Sequence, residues 1–137
     1  MLVNILNKLY EYSNHYIEVR QDKNLPMPGF STVEKNIHGQ YVPLILINLD
    51  LIPNNESVMA HIISHEWGHH VSGHISIVPN EKEMRDDNLR QQKEVEADKY
   101  AAEFIKEYFY NLGDIEKFIR QHPIDLENRL SILYSAK

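Results

Sequence analysis

The histidines of this chain are strongly clustered. Five of the eight lie between positions 61 and 74, and two of them frame the pentapeptide His-Glu-Trp-Gly-His at 65–69. Side chains four positions apart lie on the same face of an α-helix, so on a helix both imidazoles can reach one metal ion. The preceding Pro-Asn-Asn-Glu at 53–56 supplies a cap and a first-turn acid, which predicts a long helix to about Gly73.

The chain contains no cysteine. This absence excludes a disulfide framework, a Cys-ligated zinc finger, an iron–sulfur site and a cysteine nucleophile. A metal in this protein must therefore bind through His, Asp or Glu. The formal net charge is −6, and no long basic run is present, so the composition does not favour nucleic acid or an anionic membrane as a partner.

The length of 137 residues suits one domain, predicted here as 1–137. A chain of this size buries roughly two thirds of its unfolded surface and can hold a core without disulfides. The N-terminus lacks the basic start and continuous apolar stretch of a secretory signal, which predicts a cytoplasmic protein. No apolar run approaches the ~20 residues of a membrane span. The sequence does not indicate an oligomeric state.

Helical periodicity recurs along the chain. Apolar positions at helical spacing predict an N-terminal amphipathic helix that ends near Arg20. Capping residues and the same periodicity predict further helices at about 89–110 and 114–120 and from Asp125 onward.

A β-hairpin or meander is predicted between the first helix and the histidine-rich helix. Its strands lie within residues 30–37 and 41–49. Pro43 cannot donate to a ladder, which predicts that the strand at 44–47 lies at a sheet edge or begins at Pro43. An edge strand can receive an extended peptide. The expected fold is α+β, with about three strands beside two long helices.

A third metal ligand is expected from the second long helix. Zinc in a hydrolase is typically held by three protein ligands and keeps one open position. Glu94 and Asp98 lie one turn apart, so Glu94 could complete a site with His65 and His69, while Asp98 hydrogen-bonds the far nitrogen of a ligand histidine. These residues predict one Zn²⁺ per chain. A solvated helix face is the usual alternative for such an acidic pair.

These motifs resemble the gluzincin zinc peptidases, and most closely the HtpX and CAAX prenyl protease class. The resemblance rests on four stretches between residues 41 and 133, which are 65–69 with His74, 94–98, His122-Pro123, and Arg129. It implies a zincin-like fold, a small sheet packed against an active-site helix and a second ligand-bearing helix. The histidine–proline pair and the arginine are one residue further apart here than in that class, and the membrane helices of the class are missing.

A second resemblance is to ImmA/IrrE-type proteins, small gluzincin relatives that cleave or regulate transcriptional repressors. It rests on Asn48 after an apolar strand, on the histidine motif, and on Glu-Ala-Asp-x-x-Ala-Ala-Glu at 96–103. Both resemblances imply the same metal site. A metzincin is disfavoured, because its pattern requires Gly and His where this chain has Ser72 and Ile75.

Peptide hydrolysis is the activity that these features predict, with a peptide or protein as substrate. Glu66 would act as general base, and His122 or Arg129 would stabilise the developing oxyanion. His74 is expected to support a ligand histidine, and His61 to lie on the helix surface or beside the site.

The alternative is a latent or non-catalytic zinc-binding module. In that case His122 would be a fourth ligand that closes the site.

Overall fold

The computed structural model describes residues 1–75, 87–122 and 124–135. This part of the chain is an α+β fold, as predicted. Its helices are α1 (Leu2–Ser13), α2 (Glu56–Val71), α3 (Asp87–Glu107), α4 (Leu112–Gln121) and α5 (Leu126–Ser135), with a 3-10 turn at Leu49–Leu51. Its strands are β1 (Glu18–Gln21), β2 (Gly29–Lys35) and β3 (Tyr41–Ile47). No helix in the described residues is long and apolar enough to cross a membrane.

The three strands form one sheet in the order β1-β3-β2. Strands β2 and β3 form the predicted antiparallel hairpin, and β1 runs parallel to β3. The prediction that residues 44–47 form an edge strand is wrong, because β3 is the central strand, and Pro43 is its third residue. Pro43 is tolerated because β1 pairs only from Leu44 onward, so β3 has a single neighbour at the proline.

The N-terminal helix is shorter than predicted. It ends at Ser13 rather than near Arg20, because Asn14 adopts a left-handed conformation with φ of 54°. Asparagine tolerates this conformation better than most residues. Ile17 is buried in the core just before β1, so its apolar spacing extended the helical pattern by coincidence.

Helix α2 lies in the centre of the fold. The Asn55 side chain caps it by accepting a hydrogen bond from the Val58 N–H at 3.1 Å, which confirms the predicted start. Most of its residues are buried all round, as is typical of a core helix. Trp67 is fully buried and donates from Nε1 to Ser13 Oγ at 3.0 Å. The histidine-bearing helix is therefore held by contacts on both faces.

Helix α3 packs closely against α2. A Cβ atom at Gly68 would lie 2.9 Å from the Cβ of Tyr100, a distance at which one helix must shift. Glycine at this position therefore allows the two backbones to approach. This contact places the first half of α3 beside the histidines of α2.

The helices after α2 differ from the prediction at their ends. Helix α3 stops at Glu107 rather than near 110, and Phe109 follows in a left-handed conformation. Helix α4 begins at Leu112, where the Asn111 side chain accepts a hydrogen bond from the Asp114 N–H.

Candidate metal centre

Two histidines of α2 and one glutamate of α3 converge at the contact between these helices. His65 Nε2 lies 2.9 Å from one carboxylate oxygen of Glu94, and His69 Nε2 lies 3.1 Å from the other. One ligand atom from each residue lies within 4.8 Å of the other two. The structure thus brings together the three residues predicted as ligands in a group that could hold a metal ion.

Asp98 lies one turn after Glu94 and contacts the far side of the first histidine. Its Oδ1 is 2.8 Å from His65 Nδ1, and its Oδ2 accepts a hydrogen bond of 3.0 Å from Arg129 Nε. Asp98 is buried, so these two partners compensate its charge. The structure therefore places Arg129 in a hydrogen bond to Asp98, which in turn contacts His65.

The ionisation of these groups is strongly coupled. Burial alone would lower the pKa of His65, but hydrogen bonds to Asp98 and Glu94 outweigh it and raise the pKa to about 10. Hydrogen bonds from His65 and His69 hold the pKa of Glu94 well below its usual range. Burial opposes ionisation of Asp98, yet its partners His65 and Arg129 keep its pKa low.

The donor set fits a divalent cation. Asp98 Oδ1 accepts from His65 Nδ1, so a neutral His65 presents its Nε2 lone pair to the Glu94 carboxylate. Electron pairs of imidazole and carboxylate that face each other require a positive charge between them, either a proton on His65 or a metal ion. Two imidazoles and one carboxylate are a common zinc donor set, and Glu94 is exposed enough for an ion to enter.

The second histidine has a different partner. His69 Nδ1 lies 3.0 Å from His74 Nδ1, and His74 Nε2 lies 2.6 Å from a carboxylate oxygen of Glu96. His74 was expected near a ligand histidine, and the structure places it against His69. Glu96 was not singled out from the sequence, although it stands in the middle of the motif at 94–98.

Glu66 is held by strand β2. Ser31 Oγ lies 2.8 Å from Glu66 Oε1 and 2.9 Å from the main-chain oxygen of the same residue, so its hydroxyl can donate to either. A Cβ at Gly29 would lie 3.1 Å from Glu66 Cγ, so the glycine leaves room for the glutamate side chain. Ser31 and Gly29 were not predicted, because no local pattern links β2 to α2.

His122 and His61 line a cavity of about 200 Å³ beside His65 and Glu66. His122 Nδ1 lies 3.0 Å from the main-chain oxygen of Phe118, to which it can donate. His61 was expected either on the helix surface or beside the site. The structure gives the second position, because His61 is only 3% exposed and lines the same cavity as His65, and burial lowers its pKa to about 3. The cavity therefore contains a neutral histidine. Pro123, part of the predicted histidine–proline pair, is outside the described residues.

Comparison with protein families identifies a match. The sequence profile of the peptidase U49 family matches residues 2–114. That range includes the converging residues of α2 and α3, and it ends before His122 and Arg129. No curated protein and no solved structure matches the chain. A peptidase family implies peptide or protein substrates, and the match does not favour either gluzincin class suggested by the motifs. Since the matched range covers most of its length, the chain belongs to the peptidase U49 family.

Proposed function

We propose that this chain is a zinc-dependent endopeptidase in which His65, His69 and Glu94 hold the metal and Glu66 is the general base. The observation that carries the proposal is the convergence of two imidazole nitrogens and one carboxylate oxygen within 4.8 Å. Glu66 lines the same cavity as His69 and Glu94. Membership of a peptidase family supports a catalytic role over a purely structural zinc site. A closed structural site also has no use for an acid adjacent to a ligand.

The chemistry divides between the metal and the chain. Bound zinc would polarise the scissile carbonyl and lower the pKa of water to about 7. Glu66 accepts the proton of the attacking water and delivers it to the leaving amine. When Ser31 donates to Glu66 Oε1, the other carboxylate oxygen is left for this proton transfer. Proton transfer by a group already held in place saves the cost of orienting it.

The substrate is proposed to bind along β2. This strand pairs with β3 on one side only, and no strand in the described part of the chain pairs with its other edge. Gly29 and Ser31 of β2 contact Glu66, so a peptide added to this edge would pass the general base. A cavity of about 350 Å³, lined in part by Met27 and Phe30, lies at the same place. This assignment replaces the one expected for residues 44–47, which lie inside the sheet.

Arg129 and His122 are proposed to act differently from each other. The hydrogen bond from Arg129 to Asp98 supports a positioning role, since it orients the carboxylate that holds His65. If His122 donates its Nδ1 proton to Phe118, its Nε2 carries a lone pair. Such an imidazole could close the metal site as a fourth ligand, and it would need a second proton to stabilise an oxyanion. A gain of activity in His122→Ala would support closure, and a loss would support oxyanion stabilisation.

We further propose that residues 1–137 form a single zincin-like domain of the gluzincin type. The ligand arrangement, with two histidines on one helix and a glutamate on the next, supports this assignment. This arrangement is expected whether the chain is related to the HtpX and CAAX prenyl protease class or to the ImmA/IrrE type. Repressor cleavage would follow only from the second.

The experiment compares the parent chain with Glu66→Gln on a peptide library prepared from a digested proteome, with new termini read by mass spectrometry. Glu66→Gln should bind zinc as the parent does and should cleave at least about 1000-fold more slowly. The control is Glu103→Gln, an exposed glutamate of α3 outside the site. Equal cleavage by Glu66→Gln would refute the general-base assignment. A parent that binds zinc and cleaves nothing would support the non-catalytic module instead.

A further inference from the structure

Helix α2 ends in a turn that brings the chain back onto its own last ligand. The Gly73 N–H donates to the His70 carbonyl at 3.1 Å, and the His74 N–H donates to the His69 carbonyl at 2.9 Å. Gly73 has a φ of 71°, which glycine adopts without strain. This pair of bonds is the Schellman motif, which ends many α-helices. In this motif the side chain of the second residue after the C-cap packs against a side chain in the last turn of the helix, and here these residues are His74 and His69.

The contact made by this turn is polar rather than apolar. The two imidazole rings meet edge to face, with centroids 5.2 Å apart and Nδ1 atoms 3.0 Å apart. The His74 side chain is only 7% exposed, so its ring nitrogens depend on protein partners. Its other nitrogen, Nε2, has such a partner in Glu96, at 2.6 Å.

The proton positions follow from these contacts when Glu96 is an ionised carboxylate and His74 is neutral. An ionised carboxylate can only accept, so His74 donates its Nε2 proton to Glu96. A neutral His74 then carries a lone pair on Nδ1 and accepts the Nδ1 proton of His69. His69 is left with its lone pair on Nε2, the atom that faces Glu94.

We propose that His74 and Glu96 form a relay that fixes His69 in the tautomer required for binding the metal. The inference rests on the proposed zinc site and names two residues that support it. The relay is the counterpart of the Asp98 contact to His65, with the His74 imidazole inserted between the Glu96 carboxylate and His69. Each ligand histidine is thus oriented through Nδ1 by a carboxylate of α3.

Zinc affinity tests the relay without any substrate. The parent, Glu96→Ala and His74→Ala are titrated with Zn²⁺ against a chromophoric chelator. Partners of this kind contribute 10- to 100-fold to metal affinity, so both variants should bind zinc about 10-fold or more weakly. Glu96→Gln, whose amide oxygen can still accept from His74, should retain affinity within about threefold of the parent. The control is Glu103→Ala on the same helix, which should bind as the parent does.

A spectroscopic measurement separates a relay from simple loss of packing. In ¹⁵N NMR of the protein before zinc addition, the parent should show His69 protonated on Nδ1, and Glu96→Ala should show a mixture of tautomers. The relay would be overturned if both alanine variants bound zinc within twofold of the parent. It would also be overturned if the His69 tautomer were unchanged in Glu96→Ala. A parent that binds no zinc would instead refute the proposed metal site.

Discussion

Gly68→Ala should loosen the packing between α2 and α3. The added Cβ would lie 2.9 Å from Tyr100 Cβ and 3.2 Å from two atoms of the tyrosine ring. Carbon atoms in contact normally lie 3.5 to 4.0 Å apart, so the gap must open by about half an ångström or more. The Tyr100 Cβ is fixed to its backbone and cannot rotate away. Helix α3 must therefore move, and Glu94 and Asp98 move with it.

The expected size of the effect follows from two opposing contributions. Alanine in a helix interior is favoured over glycine by about 1 kcal/mol, whereas overpacking a close contact costs about 1 to 3 kcal/mol. The free energy of unfolding should therefore fall by about 0 to 2 kcal/mol. Binding geometry tolerates displacements of only about 0.5 Å, so we expect zinc affinity to fall about 10-fold.

Urea denaturation of the zinc-free protein and chelator competition together measure both effects of Gly68→Ala. A variant stabilised by the full 1 kcal/mol of helix propensity, with unchanged zinc affinity, would refute the close approach of α2 and α3. A loss of stability with unchanged affinity would refute the coupling between this contact and the metal site.

Three further predictions concern side chains around the site. Ser31→Ala should lower kcat about 10-fold and leave the zinc content unchanged, because Glu66 loses the hydroxyl that orients it. Steady-state kinetics should show no such loss in Ser31→Thr, which keeps a hydroxyl. Asp98→Ala should weaken zinc binding 10- to 100-fold in a chelator titration, and an affinity equal to the parent's would contradict the role of Asp98 in orienting His65. Burial lowers the pKa of His61 to about 3 from its usual 6.5, so the unfolded chain takes up a proton here at a higher pH than the folded chain does. The free energy of unfolding should therefore fall as the pH drops below 6.5. At about 1.4 kcal/mol per pH unit this amounts to about 3 kcal/mol by pH 4, and urea midpoints should fall less over that range in His61→Gln.

The parts of the fold that depend on local pattern were predictable. Asn55 marks the start of α2 in the sequence, and helical spacing alone places His65 and His69 on one face. Glu94 and Asp98 could be proposed because they share one turn of a second helix. Their meeting with the histidines needed only that two long helices pack together.

The parts that depend on contacts between distant segments were not predictable. Ser31 reaches Glu66 across 35 positions, and Glu96 reaches His74 across 22, with no periodicity to connect them. The position of β3 in the sheet was predicted wrongly. The missing N–H of Pro43 would cost a ladder bond only if strands flanked β3 on both sides at that residue, and β1 pairs only from Leu44 onward. Strand β3 is central because β1 pairs with its second edge. The sequence pattern did not reveal β1, because it predicted that α1 continues through these residues.

Metal content is the most direct test of the central claim that His65, His69 and Glu94 bind zinc. The parent chain, Glu94→Ala and the control Glu103→Ala are purified under the same conditions, and zinc per chain is measured by elemental analysis. The proposed site predicts one zinc per chain in the parent and in the control, and a loss or strong reduction in Glu94→Ala. A folded parent that holds little zinc even after zinc is added, or a Glu94→Ala variant that retains one zinc per chain, would contradict it.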